Sequence, residues 1–167
     1  MGSTFRPGGP FPTPHSLNFV PFQTTDYVRW ADVDLAGIMR YDAYLRLVDV
    51  AETDFFRAIG APIGAMAERL GVWLPRKTMR LDFHAPARLD DALRLDVSIP
   101  RIGRTSVVFR VDVLSAADGA PRATAELVLV CVGKADFAKR ALPSELVEKL
   151  RPYATDEVNS GAADSRR

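Results

Sequence analysis

The sequence predicts an α+β domain in which an antiparallel sheet of about five strands wraps around one long helix. Three observations carry this. Apolar side chains recur at helical spacing between residues 41 and 59. From residue 79 onward the pattern switches to alternation, apolar against polar, in run after run. An Asp118-Gly119 pair between two of these runs marks a hairpin turn.

In chain order, residues 1–20 hold Pro7, Pro10, Pro12, Pro14 and three glycines and read as a flexible arm or an extended strap. Residues 22–30 have strand composition, and residues 31–37 are turn-like. The long helix carries apolar residues at 41, 44, 45, 48, 51, 55, 56 and 59, with Glu52 as the exception on that face, and Gly60 ends it. Residues 63–70 suit a short second helix before Gly71. Met79, Leu81 and Phe83 then alternate with Arg80, Asp82 and His84. Leu93, Leu95, Val97 and Ile99 form a second set, and Val107, Phe109, Val111 and Val113 a third. Residues 123–132 predict a long strand, apolar on both faces toward its end. Pro143 precedes a short C-terminal helix over 144–153, and the polar residues beyond it read as a disordered tail. The boundaries expected are an arm over 1–20, a domain over 21–153 and a tail over 154–167. Apolar residues on both faces of several strands suggest that a second subunit covers the outer face of the sheet.

Composition excludes several classes. The 167 residues suit one domain. With 22 basic and 21 acidic side chains the net charge is +1, without the basic excess usual for nucleic-acid or membrane-surface proteins. The single cysteine, Cys131, can form no intrachain disulfide and sits in an apolar run, as a small buried hydrophobe does. With only His15 and His84 beside it, a usual zinc site needs carboxylates to complete it, so no metal is expected. The N-terminus has no apolar stretch of signal-peptide length, and Arg6 stands where a myristoylation motif needs Ser or Thr. No run approaches the ~18 apolar residues of a membrane span, so a cytoplasmic location is expected.

Residues 32–44, between the first strand and the long helix, hold the candidate chemistry, although Asp-x-Asp before a helix taken alone reads first as a cap and a solvated loop. A carboxylate, Asp34, sits in a loop. Gly37 follows three residues later and permits close approach to the backbone. A helix start comes next, with free N–H groups and the positive end of its dipole. Such N–H groups can hold an oxyanion. The carboxylate can attack a carbonyl carbon or activate water against it. Asp32 reads as a loop or cap residue, or as a second carboxylate acting on Asp34 by like-charge repulsion. Glu52, on the apolar face of the helix, is an alternative acid; Asp49 suits solvent or a salt bridge. Arg101 and Arg104, flanking Gly103, are candidates for binding phosphate, as are Arg76, Lys77 and Arg80. His84, before Ala85-Pro86, reads as a structural residue at a strand end; Trp30 and Trp73 read as core or interface.

The stretch Asp32-Val33-Asp34-Leu35-Ala36-Gly37-Ile38, with Tyr41 and Tyr44 behind it, resembles the signature of the 4-hydroxybenzoyl-CoA thioesterase family. In that hotdog-fold family a D-x-D-x-x-G segment precedes the central helix. The resemblance continues through Phe83, Pro86, Leu93 and Val97, through Gly103-Arg104-Thr105-Ser106, and through Ala141-Leu142-Pro143. It covers residues 22–153, and the order and spacing of these short motifs make it specific.

The resemblance implies a hotdog fold and hydrolysis of an acyl-CoA, aryl or fatty, to the free acid and CoA. Asp34 matches the family's catalytic carboxylate. Tyr41 matches the position whose backbone N–H contacts the thioester carbonyl. Gly37, Arg101 and Arg104 are expected to bind substrate. No cofactor is expected beyond the coenzyme A of the substrate, and the site is expected at the interface of a homodimer or homotetramer. Many relatives carry a histidine in or just after the loop. Ile38 and Tyr41 stand there instead, so no imidazole is expected to assist, and the resemblance is to the Ala-Gly-Ile branch that works with aspartate alone. The rival readings are a hotdog hydratase or dehydratase, which pairs its acid with a histidine, and a non-catalytic acyl-binding protein.

Overall fold

A computed structural model describes residues 20–155, so the arm expected over 1–20 and the tail expected over 154–167 lie almost wholly outside the described residues. The elements run β1 (Phe22–Tyr27), α1 (Ala43–Ala58), α2 (Ile63–Leu70), β2 (Val72–Trp73), β3 (Arg76–Phe83), β4 (Ala92–Ile102), β5 (Ser106–Ser115), β6 (Pro121–Val130), β7 (Val132–Gly133) and α3 (Ser144–Leu150). Short 3-10 turns cover Trp30–Asp32 and Arg151–Tyr153. Five strands form one antiparallel sheet in the order β1-β4-β5-β6-β3, and β2 pairs with β7 apart from it.

The alternation does what period two requires. Leu93, Leu95 and Val97 of β4, Phe109, Val111 and Val113 of β5, and Ala123, Ala125, Leu127 and Leu129 of β6 share one fully buried face. The stripe Tyr44, Leu47, Val48, Ala51, Phe55 and Phe56 of α1 belongs to the same core. Phe55 anchors it. Its ring meets Phe22 at 5.7 Å, Phe109 at 5.4 Å and Tyr153 at 5.0 Å, each edge to face. Truncating such a ring costs about 3–5 kcal/mol.

Several boundaries move, for local reasons. β1 stops at Tyr27 rather than at residue 30, because Val28 leaves the sheet edge to exchange hydrogen bonds with Asp90 and Asp91. Trp30 then lies in the 3-10 turn, 80% exposed and outside the core. α1 begins at Ala43; Tyr41 and Asp42 form the turn that leads into it. The strand expected over 123–132 breaks at Cys131, whose N–H and C=O pair with Thr105 and Arg140, and the chain continues as β7 against β2. The final helix ends at Leu150, since Pro152 has no N–H with which to continue it.

The outer face of the sheet corrects another expectation. It carries Arg94 and Asp96 on β4, Arg110 and Asp112 on β5, and Thr124 and Glu126 on β6, in adjacent register. Arg94 binds Asp96 at 2.9 Å and Arg110 binds Asp112 at 2.9 Å. Val108, Val128 and Val130 are apolar there, but the face as a whole is polar and ion-paired.

The strand directions define two ends. Tyr27, Ala92, Ser115, Pro121 and Phe83 meet at one; Phe22, Ile102, Ser106, Val130 and Arg76 meet at the other. The loop from β1 to α1 closes over the first end.

Candidate active site

That loop is built from hydrogen bonds within itself. Val33 bridges Met39, Asp34 N–H donates to the Ile38 carbonyl at 3.0 Å, and Gly37 N–H donates to the Asp34 carbonyl at 3.0 Å. The result is a tight hairpin with Asp34 at its entry. Gly37 holds φ +72°, a left-handed conformation that side chains with a Cβ resist.

The two aspartates of the pair part company here. Asp32 is buried, 5% exposed. Its carboxylate accepts from Arg29 N–H at 2.9 Å and from Arg46 Nε at 3.1 Å. Arg46 also bridges to Asp26 and so ties α1 to β1. Burial pushes the Asp32 carboxyl up, but the Arg46 guanidinium and the Arg29 N–H outweigh it and hold it below the usual carboxylate range. Asp32 is therefore a structural group whose charge is already matched. Asp34 is exposed; its Oδ1 accepts from Ala36 N–H at 2.8 Å, and Oδ2 has no partner among the described residues.

A cavity of about 570 Å³ opens beside Asp34. The loop contributes Asp34, Ile38, Met39 and Arg40 to its wall, the turn into α1 contributes Tyr41, and α1 contributes Tyr44. The end of β3 and the turn beyond supply Phe83, His84, Ala85 and Pro86. The volume suits a small-molecule pocket. Tyr44 and Phe83 stack edge to face at 5.2 Å, and burial pushes the Tyr44 phenol up. The Tyr41 side chain is 77% exposed, and its backbone N–H donates to no acceptor among the described residues. Asp34, with Oδ2 unpartnered among the described residues, and Tyr41, two residues ahead of α1, thus line one mostly apolar chamber.

Other candidates lie elsewhere. Gly37 shapes the hairpin beside the cavity. Arg101 and Arg104 are exposed near the turn between β4 and β5, at the opposite end of the sheet. Arg76 begins β3 at that same end. Glu52 is buried, 3% exposed, and ion-paired with Arg76; it lines no part of the cavity. Burial pushes its carboxyl above the usual range, with Arg76 offsetting only part of that. Cys131 is buried with Sγ 3.5 Å from the Ala141 carbonyl, and burial pushes its thiol up. Sequence reasoning gave no site role to Phe83 or His84. Neither lies near Asp34 in the chain, and only the pairing of β3 with β6 brings them to the same end of the sheet.

Comparison with known proteins decides the family. The profile of the Thioesterase-like superfamily matches residues 28–150. The chain belongs to this superfamily. It is thus an enzyme of the thioester hydrolase class, with the hotdog fold. It is 31% identical over 136 residues to the acyl-CoA thioester hydrolase YbgC of Escherichia coli O6:H1, covering 81% of this chain and 99% of that protein. It is 25% identical over 131 residues to the 1,4-dihydroxy-2-naphthoyl-CoA hydrolase of Synechococcus elongatus, covering 78% and 95%. Among solved structures, a 1,4-dihydroxy-2-naphthoyl-CoA thioesterase from Synechocystis superposes with a TM-score of 0.72 at 21% identity, over 78% of this chain and 95% of that one. That likeness concerns the fold.

Proposed function

We propose that this thioesterase hydrolyses acyl-CoA thioesters, aryl or fatty, with Asp34 as its working carboxylate and the Tyr41 N–H as an oxyanion donor. One observation carries the reading: Asp34 and the start of α1 line the same cavity, and that cavity is large enough for an acyl group. The relatives named as CoA thioester hydrolases support the substrate class. The helix start polarises the carbonyl, while Asp34 attacks it or directs water at it. Single-turnover hydrolysis in heavy-oxygen water separates these two, since label enters the carboxylate only if Asp34 attacks. Coenzyme A enters as part of the substrate, and no other cofactor is invoked. We place the enzyme in the cytoplasm; among the described residues no helix is long and apolar enough to cross a membrane.

The active form is a homodimer, or a tetramer of such dimers. β3 is an edge strand, exposed along most of its length, with Met79 and Phe83 open on the inward side. An open edge of eight residues is a template for pairing. Two copies joined antiparallel along β3 exchange ends, so that Arg76 and Lys77 of the partner subunit come beside Phe83 and His84. Cations from the far end of one copy then reach the cavity of the other. Light scattering of Met79→Asp/Phe83→Asp should show monomers with little activity; an active monomer refutes the shared site.

The test of the reaction is a panel of aryl-, short- and long-chain acyl-CoAs and carrier-protein thioesters, with wild type and Asp34→Asn. Turnover lost in the mutant is expected. Full activity in the mutant refutes the role of Asp34. An enoyl-CoA belongs in the panel, because a hotdog hydratase is the rival reading. Hydration in place of hydrolysis would select that rival.

A further inference from the structure

Asp34 stands on the hairpin and Tyr41 just beyond it, so the shape of the site depends on what fixes the hairpin against α1. The hairpin is a short ladder. Asp34 N–H meets the Ile38 carbonyl, Val33 bridges Met39, and the Asp32 carbonyl accepts from Arg40 N–H at 2.8 Å. Its second strand is tied to the segment after β3, where Met39 N–H donates to the Ala87 carbonyl at 2.8 Å and Ile38 bridges Arg88. Its first strand is tied to α1 by the side chain of Arg46. Nε and Nη2 each donate to one oxygen of Asp32, Nη2 also donates to the Tyr27 carbonyl at 3.2 Å, and Nη1 donates to Asp26. Four of the five guanidinium N–H groups are thus engaged. The side chains of Asp26 and Asp32 are 13% and 8% exposed, so water does little to replace these bonds.

We propose that Arg46 is a positioning residue for the hydrolysis: its fork locks the hairpin that carries Asp34 against the helix whose leading turn carries Tyr41. The inference rests on the acyl-CoA reading above and extends it. A carboxylate that must meet a thioester carbonyl held at Tyr41 has little room for error, since a misplacement of about 1 Å can cost about 10²-fold in rate. Among the described residues the Asp34 carboxylate bonds only to Ala36 N–H, inside its own hairpin. Its place is therefore inherited from the base of the hairpin. Asp32 forms that base: its side chain meets Arg46, and its carbonyl meets Arg40, the neighbour of Tyr41. Arg46 lines no part of the cavity, so it acts through the hairpin and not on the substrate. A planar fork can hold Asp32, Asp26 and the Tyr27 carbonyl at once, which a single ammonium cannot.

Arg46→Lys tests this, because it keeps a charge beside Asp26 and Asp32 and loses the fork. It should fold, lower kcat by about 10²-fold and leave KM within about twofold, the pattern of a defect felt in the transition state. Wild-type kcat in this variant overturns the proposal, and so does a loss confined to KM. Arg46→Ala supplies a second readout. Millimolar guanidinium should enter the vacated site and restore part of kcat, whereas methylammonium, a charge without a fork, should not. Equal rescue by the two overturns the role of the fork. Asp32→Asn keeps an oxygen for Arg46 and leaves Asp26 and the Tyr27 carbonyl on the fork, so its kcat should stay near wild type. A wild type inert on every thioester removes the acyl-CoA reading and this role with it, whereas an unaffected Arg46→Lys in an active enzyme removes this role alone.

Discussion

Asp32 and Asp34 stand two residues apart, on either side of Val33, in opposite surroundings. Asp32 points into the protein, where Arg46 and the Arg29 N–H occupy its oxygens. Asp34 points out of the hairpin with Oδ2 unclaimed among the described residues, at the wall of the cavity. The difference teaches what a carboxylate needs for each task. A structural carboxylate has its charge matched inside the chain, and the match contributes to folding. A reacting one must keep an oxygen for the substrate, so it adds little to stability.

The largest effect that could break this contrast is on activity. Asp34→Asn should lower kcat by about 10³-fold, the range of a lost acid–base or nucleophilic group, while changing stability by less than about 0.5 kcal/mol, as surface substitutions do. Asp32→Asn should do the reverse. It removes charged hydrogen bonds at a buried position, costs about 2 kcal/mol, and leaves kcat of the folded enzyme nearly unchanged. Thioester hydrolysis and urea unfolding of both variants check the inversion. Equal losses of activity in the two would mean that Asp32 takes part in the chemistry.

The next effect concerns the backbone. Tyr41→Pro deletes the N–H in the turn ahead of α1 and should lower kcat by about 10²-fold if that N–H is the oxyanion donor proposed. Tyr41→Phe should be near wild type, because the phenol is exposed and unbonded among the described residues. A strong defect in the phenylalanine variant would assign the hydroxyl, rather than the N–H, to the reaction.

How much of this was legible beforehand follows from distance along the chain. The helical stripe from Tyr44 to Phe56 and the period-two sets of β3 to β6 are local patterns, and they survive intact. Asp34, Gly37 and Tyr41 lie close together in the chain, so one loop gathers them. The break at Cys131 is hidden because both flanks are apolar, and only the backbone bonds to Thr105 and Arg140 reveal it. Phe83 and His84 come to Asp34 through strand pairing, for which local periodicity has no signal. The polar outer face was legible in Arg94, Asp96, Arg110 and Asp112, but Val128 and Val130 drew the reading toward an apolar one. Residue type identifies Arg101 and Arg104 as cations, whereas strand direction puts them at the end of the sheet away from the cavity.

The smallest effect separates Asp32 from the other buried acid, Glu52, by the sign of its pH dependence. The folded pKa of Asp32 lies below its unfolded value of about 3.9, so its contribution is fully present above that pH and is lost as pH falls through the folded value. Glu52 is shifted the other way. Between its unfolded value of about 4.3 and its raised folded value, the folded state holds more protons than the unfolded one. Stability from this group therefore falls as pH rises through that window. Replacing Glu52 by Gln should remove the fall, and the Arg76 left behind is partly solvated rather than buried. Relative to wild type, Glu52→Gln should gain stability from acid toward neutral pH, by less than the ~2 kcal/mol of Asp32→Asn, whose deficit deepens over its own lower window. Urea unfolding at a series of pH values reads both slopes. Slopes of the same sign would show that Arg76 matches Glu52 as fully as Arg46 matches Asp32.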